Sequence, residues 1–296
     1  MIPTWLQNDY QRLVALGANK QLHHGLLLLG NQGVGSFDLA QQLAFDLLCL
    51  TNPMQACGHC KACLLNQSQT HPDYLLIAPE KDTISVEQVR AISDFFVTSA
   101  NYQGNKVVII KNAESLTLSA SNALLKTLEE PNSNRYLMLL AHNSAALPAT
   151  ILSRCFKVHL SVDLELANSF ISSLGIDINA PWVRAFLHRP QTLAIWQQQE
   201  QINVIEDLYT MTMQSTMQTR HKQLLELFNQ NPDYIDIFVQ FCAQKLQTEL
   251  LSNTLDIKCY QEKSQALISF ADKFKEVKGL NLSLQLNLLL KKLSDL

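Results

Sequence analysis

The sequence predicts an α/β protein: a parallel sheet covered by helices on both faces, followed by a wholly helical C-terminal part. Three observations carry this. Apolar runs of strand length alternate with helical periodicity between residues 26 and 160. The first run passes into a glycine-rich loop that opens a helix. Beyond about residue 201 the strand-length runs stop, and apolar residues recur only at helical spacing.

The elements follow in order. Trp5, Leu6, Leu13, Val14 and Leu16 fall on a helical period. His23-His24, more in keeping with a loop than with a metal site, leads into the strand Leu26–Leu29. Next comes Gly30-Asn31-Gln32-Gly33-Val34-Gly35-Ser36-Phe37, with a helix marked by Leu39, Leu43 and Leu47. Strand, loop and helix in this order are the context of a phosphate-binding loop, whose backbone N–H groups cradle phosphate at the helix start. The pattern G-x-x-x-x-G-K-[ST] has Gly30 and Gly35 in place, but Ser36 stands at the lysine position and Phe37 at the hydroxyl position. The lysine supplies charge at the phosphates, and a phenyl ring cannot coordinate Mg²⁺. This stretch alone fits equally a phosphate loop that has lost its chemistry and an ordinary glycine-rich turn.

The helix ends near Cys49, and Cys57-Gly58-His59-Cys60-Lys61-Ala62-Cys63 completes the spacing C-x7-C-x2-C-x2-C. Four thiolates in so short a span suit tetrahedral Zn²⁺ in a closed, structural site. An iron–sulfur cluster would need a following C-x3-C-P, and the next cysteine is Cys155. Four free thiols are the plain alternative.

Tyr74–Ile77 reads as a short strand, Ser85-x-x-Gln88 as a capping box, and Val86, Val89, Ile92 and Phe96 as one helical face. Val107–Ile110 is a continuous apolar run, as a buried parallel strand should be. Lys111 and Asn112 follow it, where a nucleotide-hydrolysing site would carry an acidic pair, and Glu114 further on is expected to face solvent. Ala120, Ala123, Leu124, Thr127 and Leu128 form the next helix, closed by Glu130-Pro131. Tyr136–Ala141 is a strand, Pro148 suits a first helical turn, and Phe156–Leu160 is the last strand.

A net charge of −3 creates no global attraction for nucleic acid, so any DNA contact must be local or supplied by partners. Met1-Ile2-Pro3-Thr4-Trp5 carries no basic leader region, and no apolar run approaches the length of a membrane span. The expectation is a cytoplasmic protein without a membrane partner, in which seven cysteines do not form disulfides.

Asn122-Ala123-Leu124-Leu125-Lys126-Thr127-Leu128-Glu129-Glu130-Pro131 resembles a signature segment of bacterial clamp-loader subunits, which are AAA+ proteins. Leu147-Pro148-Ala149-Thr150-Ile151-Leu152-Ser153-Arg154-Cys155 resembles their second signature, and the cysteine cluster and His23-His24-Gly25 also fit. The resemblance is sharp over residues 20–160. It implies an AAA+ core at 1–160 with a zinc module inserted at about 49–63, a helical lid at 161–200 and a helical collar at 201–296. It further implies a hetero-pentamer with delta and gamma/tau motor subunits, which loads the sliding clamp onto primer-template DNA as part of the DNA polymerase III holoenzyme, a DNA-directed DNA polymerase. The active motors of that family carry a complete phosphate loop and an Asp-Glu pair. Departure at both places implies a subunit with no ATP or Mg²⁺ in its own loop (Gly30, Gly33, Gly35, Ser36, Phe37) and no catalysis by the chain alone. Zn²⁺ on Cys49, Cys57, Cys60 and Cys63 would be structural, and Arg154 would be an arginine finger acting on a neighbour's ATP. The family motors carry a sensor arginine in the lid; Arg184 and Arg189 are nearby, and neither is assigned.

Two rival functions stay in view. One is an active AAA+ ATPase, a clamp-loader motor or helicase loader, against which Ser36, Phe37, Lys111 and Asn112 all count. The other is a zinc-dependent DNA-binding module, for which Lys61 is the only basic residue in the cysteine loop.

Overall fold

Valine-, isoleucine- and leucine-rich runs with no polar alternation can be stable only as strands buried on both faces. The computed structural model, which describes residues 2–102, 104–129, 133–213, 221–276 and 281–294, holds five of them in one sheet. These are β1 (Gly25–Leu29), β2 (Tyr74–Ile77), β3 (Lys106–Ile110), β4 (Arg135–Ala141) and β5 (Phe156–His159). The order is β2-β3-β4-β1-β5, and every pairing is parallel. Each strand agrees with the sequence expectation to within one residue at either end.

Period-two alternation splits the sheet between two cores. Leu26, Leu28, Val107, Ile109, Met138, Leu140 and Val158 face one side and pack with α1 (Gln7–Ala18) and α2 (Ser36–Leu48). Leu27, Leu29, Val108, Ile110, Leu137 and Leu139 face the other and pack with α4 (Val86–Val97) and α5 (Leu118–Glu129). The short α3 (Lys61–Gln67) carries the last cysteine of the cluster. The Ser85–Gln88 capping box forms in both directions at the start of α4. Pro148 is the N-cap of α6 (Ala149–Leu152) rather than part of its first turn, its ψ of 139° being extended. Glu130-Pro131, the expected close of α5, lies outside the described residues.

By its contacts the chain divides into two compact units. One comprises Met1–Phe170 with His188–Thr192; the other comprises Ile171–Leu187 with Leu193–Leu296. α7 (Leu164–Ser173) and α8 (Pro190–Gln198) pass between these divisions. The second unit contains α9 (Ile202–Met213), α10 (His221–Gln230), α11 (Asp233–Leu251), α12 (Ile257–Glu276) and α13 (Leu282–Ser294). Its interior is aromatic: Phe186 meets Trp196 at 4.7 Å and Phe241 at 5.5 Å, and Tyr209 meets Phe241 at 5.1 Å, all edge to face. Cys242 and Cys259 are buried in this unit, as core thiols should be. Among the described residues no helix is long and apolar enough to cross a membrane.

β1 is the strand on which the first unit closes, since it pairs with β4 on one side and β5 on the other and Leu28 is fully buried. Leu28→Ala is expected to cost about 2–5 kcal/mol of unfolding free energy, the range for a buried Leu→Ala cavity. Urea denaturation followed by circular dichroism checks this; a change within error of zero would mean that this core face is not packed as described.

Candidate functional site

Parallel strands deliver their following loops to one end of the sheet, and there the glycine loop leaves β1. Gly33 has φ +79° and Gly35 has φ +96°, left-handed values that favour glycine, and Gly35 is the N-cap of α2. The loop is fixed from several sides. Trp5 Nε1 donates to Val34 O at 2.8 Å, and Gln191 N donates to Gly33 O at 3.1 Å. Gln191 Nε2 donates to Asp38 Oδ2 at 2.7 Å. A Cβ on Gly35 would meet Pro3 Cγ at 2.6 Å, so the chain passes too close there for any other residue. Arg189 lies in the same segment against Gly33, whereas Arg184 belongs to the second unit. The role of residues 188–192 beside the loop was not legible in the sequence, because nothing in their composition ties them to it.

The two deficient positions meet each other. The Lys111 ammonium, at the end of β3, sits 3.3 Å from the centroid of the Phe37 ring. Burial lowers the Lys111 pKa, and the carboxylate of Asp38 opposes the shift. Asn112 follows with φ +50°, the left-handed region that asparagine tolerates. Ser36 is the first residue of α2. A phenyl ring under an ammonium therefore stands where a Mg²⁺-binding hydroxyl and a carboxylate would be needed.

Glu114 corrects one expectation. It does not face solvent: its carboxylate accepts from His142 Nδ1 at 2.7 Å and from His142 N at 3.2 Å, and its side chain is largely buried. Burial works to raise its pKa, but the hydrogen bonds from His142 outweigh it and hold the carboxyl below its ordinary range. It is the first acid after β3 in the sequence, and it is bonded to His142 at β4's exit rather than to the loop. His23 and His24 are bonded to backbone, His24 Nε2 lying 2.9 Å from Leu128 O, in keeping with a loop role.

The four cysteines converge. Their Sγ atoms all lie within 4.8 Å of one another, with Cys49–Cys60 at 4.0 Å and Cys57–Cys63 at 3.9 Å. Zn–S bonds of about 2.3 Å in a tetrahedron put sulfurs about 3.8 Å apart, so the set fits a metal of that size. Backbone N–H groups already point at the sulfurs: Asn52 N to Cys49, Cys60 N to Cys57 and Cys63 N to Cys60, each at 3.4 Å. Thr51 Oγ1 donates to Cys57 Sγ at 3.1 Å. That hydrogen bond, with others from the backbone, pulls the Cys57 thiol down to about 5, while burial pushes the Cys63 thiol up to about 12. A cation would bring all four to the thiolate form. Asp46, buried in α2, anchors the loop by accepting from Ala56 N at 2.7 Å and from the Tyr10 hydroxyl at 2.7 Å. Thr51 and Asp46 had no role in the sequence reading, since neither is itself a ligand and only the fold brings them to the cluster.

Arg154 follows α6 and precedes β5, at the end of the sheet opposite the glycine loop. Phe156 pairs with Leu26 at the start of β1, and the loop begins after Leu29. The guanidinium donates to Thr150 O at 2.9 Å and pairs with Glu129 at 2.5 Å, with half of Glu129 exposed.

Comparison with known proteins agrees with these features. A family model described as DNA polymerase III, delta subunit, matches residues 6–163, more than half of the chain. DNA polymerase III subunit delta' of Haemophilus influenzae is 42% identical over 163 residues, covering 54% of this chain and 50% of that protein. The subunit delta' of Escherichia coli is 41% identical over 155 residues, covering 51% and 46%. That of Buchnera aphidicola subsp. Baizongia pistaciae is 27% identical over 257 residues, covering 81% and 75%. The chain thus spans about half the length of the first two of these relatives in its matched part. Among solved structures, a DNA polymerase III gamma subunit-related protein of Thermotoga maritima has a TM-score of 0.51 at 21% identity, covering 96% of this chain and 98% of that one, a likeness of fold. With this match over the sheet-bearing region, the chain belongs to the DNA polymerase III delta-subunit family, and the relatives it resembles there are delta' subunits.

Proposed function

We propose that this chain is a non-hydrolysing subunit of the DNA polymerase III clamp loader, donating Arg154 to the ATP site of a neighbouring motor subunit. The observation that supports it best is the Lys111–Phe37 contact, which leaves the loop's shape intact and fills its Mg²⁺ side with a ring and a cation. The partners are gamma/tau motor subunits and delta in a hetero-pentamer, with the sliding clamp and primer-template DNA reached through the complex. Residues 161–200 act as the lid and 201–296 as the collar. Leu251, Ile257, Ile268, Leu284 and Leu288 are exposed apolar side chains in the second unit, which a collar would use against neighbours.

Zn²⁺ on Cys49, Cys57, Cys60 and Cys63 is structural in this reading, because all four positions of the tetrahedron are taken by protein and none is left for substrate. Acid or a chelator should release it and loosen residues 49–63, since binding needs thiolates, while the sheet keeps its own core. Metal analysis should find one zinc per chain. Protein without zinc, whose four thiols all titrate freely, would refute the assignment.

The loop should give no magnesium-dependent binding of ATP and no hydrolysis by the chain alone. Equilibrium dialysis with and without Mg²⁺ measures this, and micromolar binding that requires Mg²⁺ would restore the motor reading.

Arg154 cannot serve its own loop from the far end of β1, so a role in ATP chemistry has to be in trans. Its pair with Glu129 is solvent-exposed and worth at most about 1 kcal/mol, little enough to exchange for a phosphate. A planar guanidinium aimed at a γ-phosphate stabilises the charge that develops in the transition state. Such fingers are worth ~10³–10⁵ in rate where every site depends on one. In a ring with several sites the loss is smaller. Arg154→Ala should leave folding, zinc and assembly unchanged, lower the clamp- and DNA-stimulated ATPase of the reconstituted complex and slow clamp loading. Arg154→Lys should rescue it poorly. Wild-type rates in the alanine complex would make Arg154 a surface residue.

A further inference from the structure

The four sulfurs of the cysteine cluster are not equally placed. Cys49 and Cys63 are buried, while Cys57 and Cys60 are half-buried. Four thiolates around one divalent cation leave two negative charges in excess. The one lysine of the loop, Lys61, lies over the Tyr102 ring, 5.3 Å from its centroid. What the fold aims at the sulfurs is a set of hydrogen-bond donors. Among the described residues backbone N–H groups supply most of them, and the Thr51 hydroxyl is the side-chain oxygen in the set. It donates to Cys57 Sγ at 3.1 Å and lies 3.6 Å from Cys49 Sγ, so it spans two of the four corners. A hydroxyl has one proton to give, and the shorter contact takes it to Cys57.

The loop that carries Thr51 is held by contacts that do not involve the sulfurs. Asp46 O accepts from Met54 N at 3.2 Å, and Asp46 Oδ1 accepts from Ala56 N at 2.7 Å. Asn52 Nδ2 donates to Gln55 Oε1 at 3.1 Å across the turn. Met54 is buried and packs so closely on Gly17 of α1 that a Cβ there would collide with it. Thr51 lies in sequence between these anchors and Cys49 at the end of α2, so the protein itself brings the hydroxyl to the sulfurs. A donor preset in this way need not be ordered when a metal binds. A charge-assisted hydrogen bond to a thiolate orients the ligand and takes up part of its charge. We propose, resting on the structural-zinc reading, that Thr51 is a positioning residue of the cysteine centre: its hydroxyl holds the Cys57 sulfur for the cation and strengthens metal binding.

The test is zinc retention by the full chain, loaded with zinc and titrated with a colorimetric chelator at one fixed neutral pH. Thr51→Val keeps the shape and removes the donor. It is expected to weaken zinc about tenfold, the low end for loss of a group that supports a metal ligand. Thr51→Ser keeps the hydroxyl and should stay close to wild type. Cobalt in place of zinc gives a second readout. Loss of a hydrogen bond raises the energy of the thiolate electrons, so the sulfur-to-cobalt charge-transfer band of Thr51→Val should move to longer wavelength. Circular dichroism checks the fold, and Thr51→Ala serves where the valine variant does not fold. Wild-type affinity and an unmoved band in Thr51→Val overturn the proposal. Weaker binding with an unmoved band overturns it too, because a distorted loop would then be the cause. A serine variant as weak as the valine one does the same, since shape and not the donor would matter. A wild-type chain that holds neither zinc nor cobalt overturns the zinc reading together with this one, so the behaviour of the wild type tells the two failures apart.

Discussion

Everything in the first unit depends on β1 being buried on both faces and paired on both edges. Its five residues carry no polar side chain, so they are stable only between β4 and β5 with helices above and below. Because all pairings are parallel, that one strand fixes which groups share an end of the sheet. The glycine loop, Lys111, Glu114 and His142 leave strands at one end, and Arg154 enters at the other. No side chain can belong to both ends. Topology alone therefore separates the glycine loop from the one arginine proposed to act on nucleotide.

A phosphate loop combines a backbone shape with side-chain chemistry, and the two have different structural supports. The shape depends on positive φ at Gly33 and Gly35 and on the close approach of Pro3, none of which involves a lysine or a hydroxyl. The chemistry depends on positions 36, 37, 111 and 112. The shape can therefore stand without the chemistry. Two of these positions support one another, since Phe37 supplies a π face for the ammonium that Lys111 brings into a partly buried place. A motor site would set a cation from the loop against an acid from β3. Here the cation comes from β3 and the loop side offers a ring.

The sheet was legible because its signals are local. Apolar runs, the Ser85–Gln88 box and the glycine spacing each act within a few residues, and strand limits followed to within one position. The cysteine set was legible for the same reason, its spacing being short enough for one loop to close. What the sequence hid were contacts across long separations. Glu114 reads as a surface acid after a strand, yet 28 residues later His142 arrives beside it from β4 and takes its proton-accepting oxygen. Gln191 is an unremarkable glutamine in a polar stretch, yet it bonds to Asp38, 153 residues earlier. Asn66 sits in an amphipathic turn with no hint that its amide is left unbonded. Periodicity says which face of an element is apolar, and it cannot say which polar residue another element will meet.

The cysteine module links the remaining pieces. Its loop hangs from Asp46 of α2, and its last cysteine lies in the first turn of α3, three residues before Asn66. A seven-residue helix is too short to be stable by its own propensity. Its position has to come from outside, and the candidates are the Cys60 N-cap, whose sulfur accepts from Cys63 N, and the sulfur cluster itself. A metal that crosslinks Cys49 at the end of α2 to Cys60 and Cys63 at the start of α3 would fix the angle between those helices. The packing of α3 on α2, where Ala62 is fully buried, would then be reinforced by metal–sulfur bonds. Such a crosslink would support the C-terminal end of α2 from outside the sheet, independently of anything bound at the glycine loop at its other end.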